Sequence, residues 1–179
     1  RELEEILRTL EEMIERVKEK HERSKRELEK VITEVKEELR RSNEELRRVI
    51  EEVERKLGKE SEEAKDVVDE ARRLLREHEE LVREVEKTAR DLLRENEKLV
   101  EDSERRVEKL RRELKRLVEE GVPVDEVRKV VEDIVREAEK SVRENEELVK
   151  AIMRELKRVV KEAEELSEEI VRRLEERTR

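Results

Sequence analysis

Apolar residues return every third or fourth position along this chain, and the pattern itself repeats at eighteen. Residues 71–88 read ARRLLREHEELVREVEKT and residues 89–106 read ARDLLRENEKLVEDSERR, so Ala71 and Ala89, Leu74 and Leu92, Leu75 and Leu93, Leu81 and Leu99, and Val82 and Val100 recur in step. Eighteen residues make five turns of an α-helix at about 3.6 residues per turn. Each repeated residue therefore returns to the azimuth of its predecessor, and the stretch is one long helix with a single apolar stripe. The register holds on either side. Leu10, Leu28 and Leu46 form one column, as do Ile14, Ile32 and Ile50, and Val17, Val35 and Val53. Farther on, Ile134, Ile152 and Ile170 align, as do Ala138, Leu156 and Leu174.

Two short breaks divide the pattern. Gly58 follows Leu57 where a helix would end on a left-handed residue, and Ser61 is placed to cap the next helix. At Gly121-Val122-Pro123 the chain breaks again, with Pro123 suited to a first helical position and Asp125 and Glu126 adding negative charge to that end. The helices expected are about 2–57, 61–120 and 124–178. Equal lengths and three-residue links force the chain back on itself. Each apolar stripe spans about 120°, slightly more in the last helix, where Val135, Met153 and Val171 widen it. The fold predicted is all-α, a long, nearly straight antiparallel up-down-up three-helix bundle. All of 1–179 forms one domain in this reading, about 80 Å long at 1.5 Å per residue. Because the period is close to 3.6, little left-handed supercoil is expected.

Composition narrows the function. Charged residues make up 58% of the chain, apolar ones 32%, and there is no aromatic residue. Net charge is −9, with acids and bases interspersed, as in the i,i+4 pairs Glu4–Arg8, Glu12–Arg16, Glu22–Arg26, Glu44–Arg48 and Glu52–Lys56. No basic face is dense enough to track phosphates and nothing can stack on a base, which argues against nucleic acid. Apolar runs never exceed three residues, which excludes a transmembrane span, and no basic, Trp- or Phe-bearing face suits a membrane surface. Without cysteine there is no disulfide framework and no signal of compartment.

Certain polar residues stand at core azimuths. His21 falls in the column of Leu3, Leu39 and Leu57, Ser24 and Ser42 in that of Ile6, and Asn43 in that of Leu7. His78, Asn96, Ser103, Ser141, Asn145 and Ser167 interrupt the other two stripes. When the turns are aligned, residue i of the first helix lies level with about 119−i of the second and i+125 of the third. The polar residues then gather at two heights, Ser42, Asn43, His78 and Ser167 at one, His21, Ser24, Asn96, Ser103, Ser141 and Asn145 at the other. A buried polar group without a partner costs about 1–3 kcal/mol, so this clustering predicts two buried hydrogen-bond networks. Their effect would be on specificity, since a helix slipped by one turn would strand several polar groups. Thr9, Thr33 and Thr88 fall at the surface or boundary, and Met13 and Met153 at the core edge.

Chemical roles for these residues find less support. Each network holds one histidine with no inward carboxylate, and His78-Glu79-Glu80-Leu81-Val82 lacks the second histidine of a zinc-protease helix, as does the stretch after His21. Ser42 with His78, or Ser24 with His21, would lack an orienting acid and oxyanion donors. No catalytic residue, cofactor, metal or small-molecule activity is expected.

Tandem eighteen-residue units, Glu/Lys/Arg surfaces, three-residue Gly or Gly/Pro links and isolated His, Asn and Ser layers together resemble computationally designed (de novo) parametric helical bundles with buried hydrogen-bond networks. Spectrin-like triple helices are similar in topology but carry aromatic core anchors and a less regular period. The resemblance implies a structural scaffold, soluble and made by recombinant cytoplasmic expression, with no targeting signal and no partner required. It also leaves open a protein–protein interaction module that associates with itself or with a designed helical partner.

Overall fold

The computed structural model describes residues 2–57 and 62–178. It contains α1 (Glu2–Leu57), α2 (Glu62–Glu119) and α3 (Val124–Thr178), packed against each other as an up-down-up three-helix bundle, with no strand among the described residues. Charge follows the helix macrodipole, with Glu2, Glu4 and Glu5 in the first turn of α1, Arg55 and Lys56 in its last, and Asp125 and Glu126 opening α3. The first link, including Gly58 and Ser61 with their expected capping roles, lies outside the described residues. No helix among the described residues is long and apolar enough to cross a membrane.

At the second link the local chemistry is explicit. Gly121 adopts φ 73°, the left-handed conformation that glycine reaches without a Cβ clash. Its N–H donates to the Val118 carbonyl at 3.2 Å, and Val122 N–H donates to the Leu117 carbonyl at 3.3 Å. Two such bonds, spanning four and six residues, are the Schellman closure that satisfies orphan carbonyls at a helix end. Val122 and Val118 pack against the same core cluster. Pro123 sits one place earlier than its expected first helical position. Its carbonyl accepts from Glu126 N–H at 3.0 Å and Val127 N–H at 3.3 Å, so it occupies the cap itself.

The chain divides into two compact units, one of Arg1–Glu29 with Leu92–Ile152, the other of Lys30–Asp91 with Met153–Arg179. Each has its own apolar cluster drawn from all three helices. In the first unit Leu10, Ile14, Leu114, Val127 and Ile134 pack together; in the second, Leu46, Ile50, Val53, Ala71, Ile170 and Leu174 do so. These residues belong to the eighteen-residue columns. Thr9, Thr33 and Thr88 are exposed and Met13 and Met153 half-buried, where the sequence placed them.

Surface charges pair along the helices at i,i+4, as in Glu37–Arg41, Arg158–Glu162 and Glu169–Arg173, and also between them. Of the five i,i+4 pairs named from sequence, Glu52–Lys56 forms an ion pair, at 3.5 Å. Others bridge helices: Arg47–Glu79 at 2.7 Å and Arg40–Glu86 at 3.5 Å in the second unit, Arg111–Glu11 at 2.6 Å, Lys25–Glu97 at 3.5 Å and Arg106–Glu137 at 2.5 Å in the first. Exposed pairs contribute about 0–1 kcal/mol each. Apolar burial therefore carries the stability, and the pairs bias which helix faces which.

Two substitutions test this division of labour by urea denaturation. Leu46→Ala, at a residue 0% exposed, is expected to cost about 2–5 kcal/mol. Gly121→Ala meets nothing within 4 Å but must hold a left-handed backbone, and is expected to cost about 1–2 kcal/mol. An unchanged midpoint for Gly121→Ala would remove the cap from the account.

Candidate functional site: two buried histidine layers

Each unit contains one imidazole in its interior. In the second unit, His78 projects from α2 and is 0% exposed. Its Nδ1 lies 3.0 Å from Asn43 Oδ1 of α1, and with a carbonyl oxygen there the ring donates through Nδ1–H. Nε2 has no hydrogen-bond partner. The Ala163 backbone of α3 stands near enough to favour the protonated ring, as does Glu79, yet burial outweighs both and holds the His78 pKa below its ordinary 6.5. Ala163 is itself buried and shares a column with Val127 and Asn145.

In the first unit, His21 of α1 is 6% exposed. Its Nε2 lies 3.0 Å from Ser141 Oγ of α3, while Nδ1 is unpartnered. Asn96 of α2 and Asn145 of α3 are each 1% exposed, and the Oδ1 atom of each lacks a hydrogen-bond partner. Ser103 is buried with them. Burial again lowers the His21 pKa from 6.5, opposed by the carboxylates of Glu104 and Glu146.

The ten polar residues named from sequence thus divide into those that reach the interior and those that stop at its edge. His21, His78, Asn96, Ser103, Ser141 and Asn145 are buried, whereas Ser24, Ser42, Asn43 and Ser167 are half-buried. Two side-chain hydrogen bonds join members of the ten, His78–Asn43 and His21–Ser141. Both link different helices, within about one and a half turns of the expected alignment. The edge residues share azimuths with Ile6, Leu7, Val131 and Val149; of these Ile6, Leu7 and Val131 are themselves half-buried. Sequence reasoning did not single out Ala163, Glu104 or Glu146 as shaping the layers. Ala163 was visible as a small residue in a larger column; the carboxylates carried no signal, being two among 56 acids.

Chemically, each layer can bind and release one proton, and among the described residues no group of three His, Asp or Glu side chains is arranged to hold a metal ion. The chain matches no protein-family profile, no curated protein and no solved structure.

The contact of His78 with Asn43 is testable by a double-mutant cycle. Asn43→Ala leaves a buried donor unpaired and is expected to cost about 1–3 kcal/mol, falling to within about 0.5 kcal/mol in a His78→Leu background. Equal costs in both backgrounds would mean that the bond contributes nothing. A pH dependence follows from the depressed imidazole pKa values. The unfolded chain binds protons at these groups near pH 6.5 while the folded chain does not, so the stabilisation is complete above 6.5 and declines as pH falls below it. Thermal melting at pH 7.5 and pH 5.5 is expected to show a larger loss for the native sequence than for a His21→Asn/His78→Asn variant. Identical shifts would take the histidines out of the acid response.

Proposed function

We propose that this chain is a structural scaffold of designed origin, whose role is to hold three helices in one fixed register, with no catalytic or small-molecule turnover. The observation that carries the reading is the pairing of interior polar groups across helices, His78 with Asn43 and His21 with Ser141. Such contacts add little net stability but penalise every alternative register, which is what a scaffold needs and an active site does not. Designed origin is supported by the eighteen-residue register that runs through α1, α2 and α3 and by the absence of any matching protein. The reading requires no partner, nucleic acid or membrane.

The broad stripe of α3 raised a second reading from sequence, a module that associates with itself or with another helical chain. Val135 and Val171, two of the residues that widen the stripe, pack against the cores of their own units, and Met153 is half-buried. No large hydrophobic residue is exposed among the described residues. Both facts favour the scaffold that stands alone.

Multi-angle light scattering separates the two. The scaffold reading expects a mass near 21.8 kDa at micromolar concentration. A stable multiple of that mass would replace it with the interaction module.

A further inference from the structure

The two histidine layers differ in how their space is filled, and the difference is written in the eighteen-residue columns. In the second unit a buried alanine, Ala163, is met by the His78 ring. In the first, Ala138 occupies the column that Leu156 and Leu174 fill farther along α3, and Ser103 occupies the column of Val85 on α2. All five are buried. Shortened side chains at one level leave a space that a close-packed interior does not wholly refill. The result is a hollow of about 350 Å³ between α1 and α2, open to solvent on one side, lined by Ile14, Val17, His21, Ser103, Val107 and Ala138. His21 also lines an adjoining hollow of about 300 Å³, there with Asn96 and Val100.

Apolar walls meet unsatisfied polar groups at this place. His21 and Asn96 are more than nine-tenths buried, and His21 Nδ1 and Asn96 Oδ1 both lack a partner. We propose that the His21 hollow is a binding site for a small cyclic alcohol, one ring bearing one hydroxyl, of which phenol is the simplest aromatic case. Size permits it, because an apolar cavity of about 150 Å³ admits benzene and ligand pockets begin near about 300 Å³. The ring would lie on Ile14, Val17, Val107 and Ala138. A hydroxyl both donates and accepts, so it can answer either tautomer of the imidazole; Asn96 lines the adjoining hollow. The unpartnered His21 Nδ1 has no open surface of its own, so binding requires the imidazole to turn toward the hollow that His21 lines. A charged ligand is disfavoured by a rim of both signs, Lys18 and Arg105 against Glu101 and Glu104. A purely apolar ring would leave the imidazole nitrogen unanswered.

This site goes beyond the scaffold reading and departs from the sequence expectation of no small-molecule site. That expectation followed residue types along each helix and did not compare side-chain volumes between columns. The test is a titration of the full chain with phenol, benzene and anisole, followed by imidazole ¹⁵N NMR. Phenol is expected to shift the His21 ring signals saturably, leave those of His78 in place, and bind about two- to ten-fold more tightly than benzene or anisole, the factor a hydrogen bond of ordinary strength supplies. Ala138→Leu, which restores the volume of its column, is expected to abolish the response while helicity by circular dichroism persists. Ser103→Val does the same from α2 should the first variant fail to fold. Equal affinity for benzene and phenol, a response to phenol that does not saturate, equal shifts at His78, or binding undiminished in a folded closure variant would each overturn the proposal. The ligand comparison on the unaltered chain decides it without any variant.

Discussion

A polar atom taken out of water must find its partner at its own height in the bundle. That constraint governs the interior of this protein more than apolar burial does, because apolar burial here is nearly degenerate. Columns such as Leu10, Leu28 and Leu46, or Ile134, Ile152 and Ile170, present the same side chain every five turns. A helix displaced along its neighbours would exchange leucine for leucine and isoleucine for isoleucine at small cost. His78 and Asn43, or His21 and Ser141, have no such equivalents. Displacement would separate each pair and leave both imidazoles buried without these partners, which is the situation a folded chain avoids most strongly.

The same constraint explains why the layers look costly when taken one at a time. Four interior side-chain atoms, His21 Nδ1, His78 Nε2, Asn96 Oδ1 and Asn145 Oδ1, remain without hydrogen-bond partners. Burial also pushes both imidazoles toward their neutral form. A core made only of Leu, Ile and Val would be at least as stable. On the scaffold reading proposed above, what the polar atoms contribute is the gap between the observed register and its competitors, with stability and specificity carried by different residues.

Much of this was legible in the residues themselves. The period of eighteen located the stripes, and Gly121 with Pro123 located a turn whose hydrogen bonds follow from a left-handed glycine. Arithmetic on the turns placed His78 near Asn43 before any coordinates did. Less was legible where the answer depended on depth. A helical azimuth says that Ser24, Ser42, Asn43 and Ser167 face inward, but not that they stop at the boundary, because burial there depends on how closely the neighbouring helix approaches. Ion pairs escaped for a related reason. Spacing along one helix predicts Glu52–Lys56, whereas Arg47–Glu79 and Arg111–Glu11 require knowing which faces of two helices meet. Glu104 and Glu146 influence His21 from α2 and α3 for the same geometric reason.

The central claim, that polar layers fix register and apolar columns do not, is tested most directly by pulsed electron–electron distance measurement within the first unit. Spin labels at the exposed positions Lys20 of α1 and Lys109 of α2 report the alignment of those helices. The measurement compares the native core with one in which His21, Asn96, Ser103, Ser141 and Asn145 are replaced by Leu, Val or Ala. The account predicts one narrow distance for the native core and a broadened or multiple distribution for the apolar one, with no loss of thermal stability. A distribution equally narrow in the apolar variant would show that the hydrocarbon columns set the register unaided.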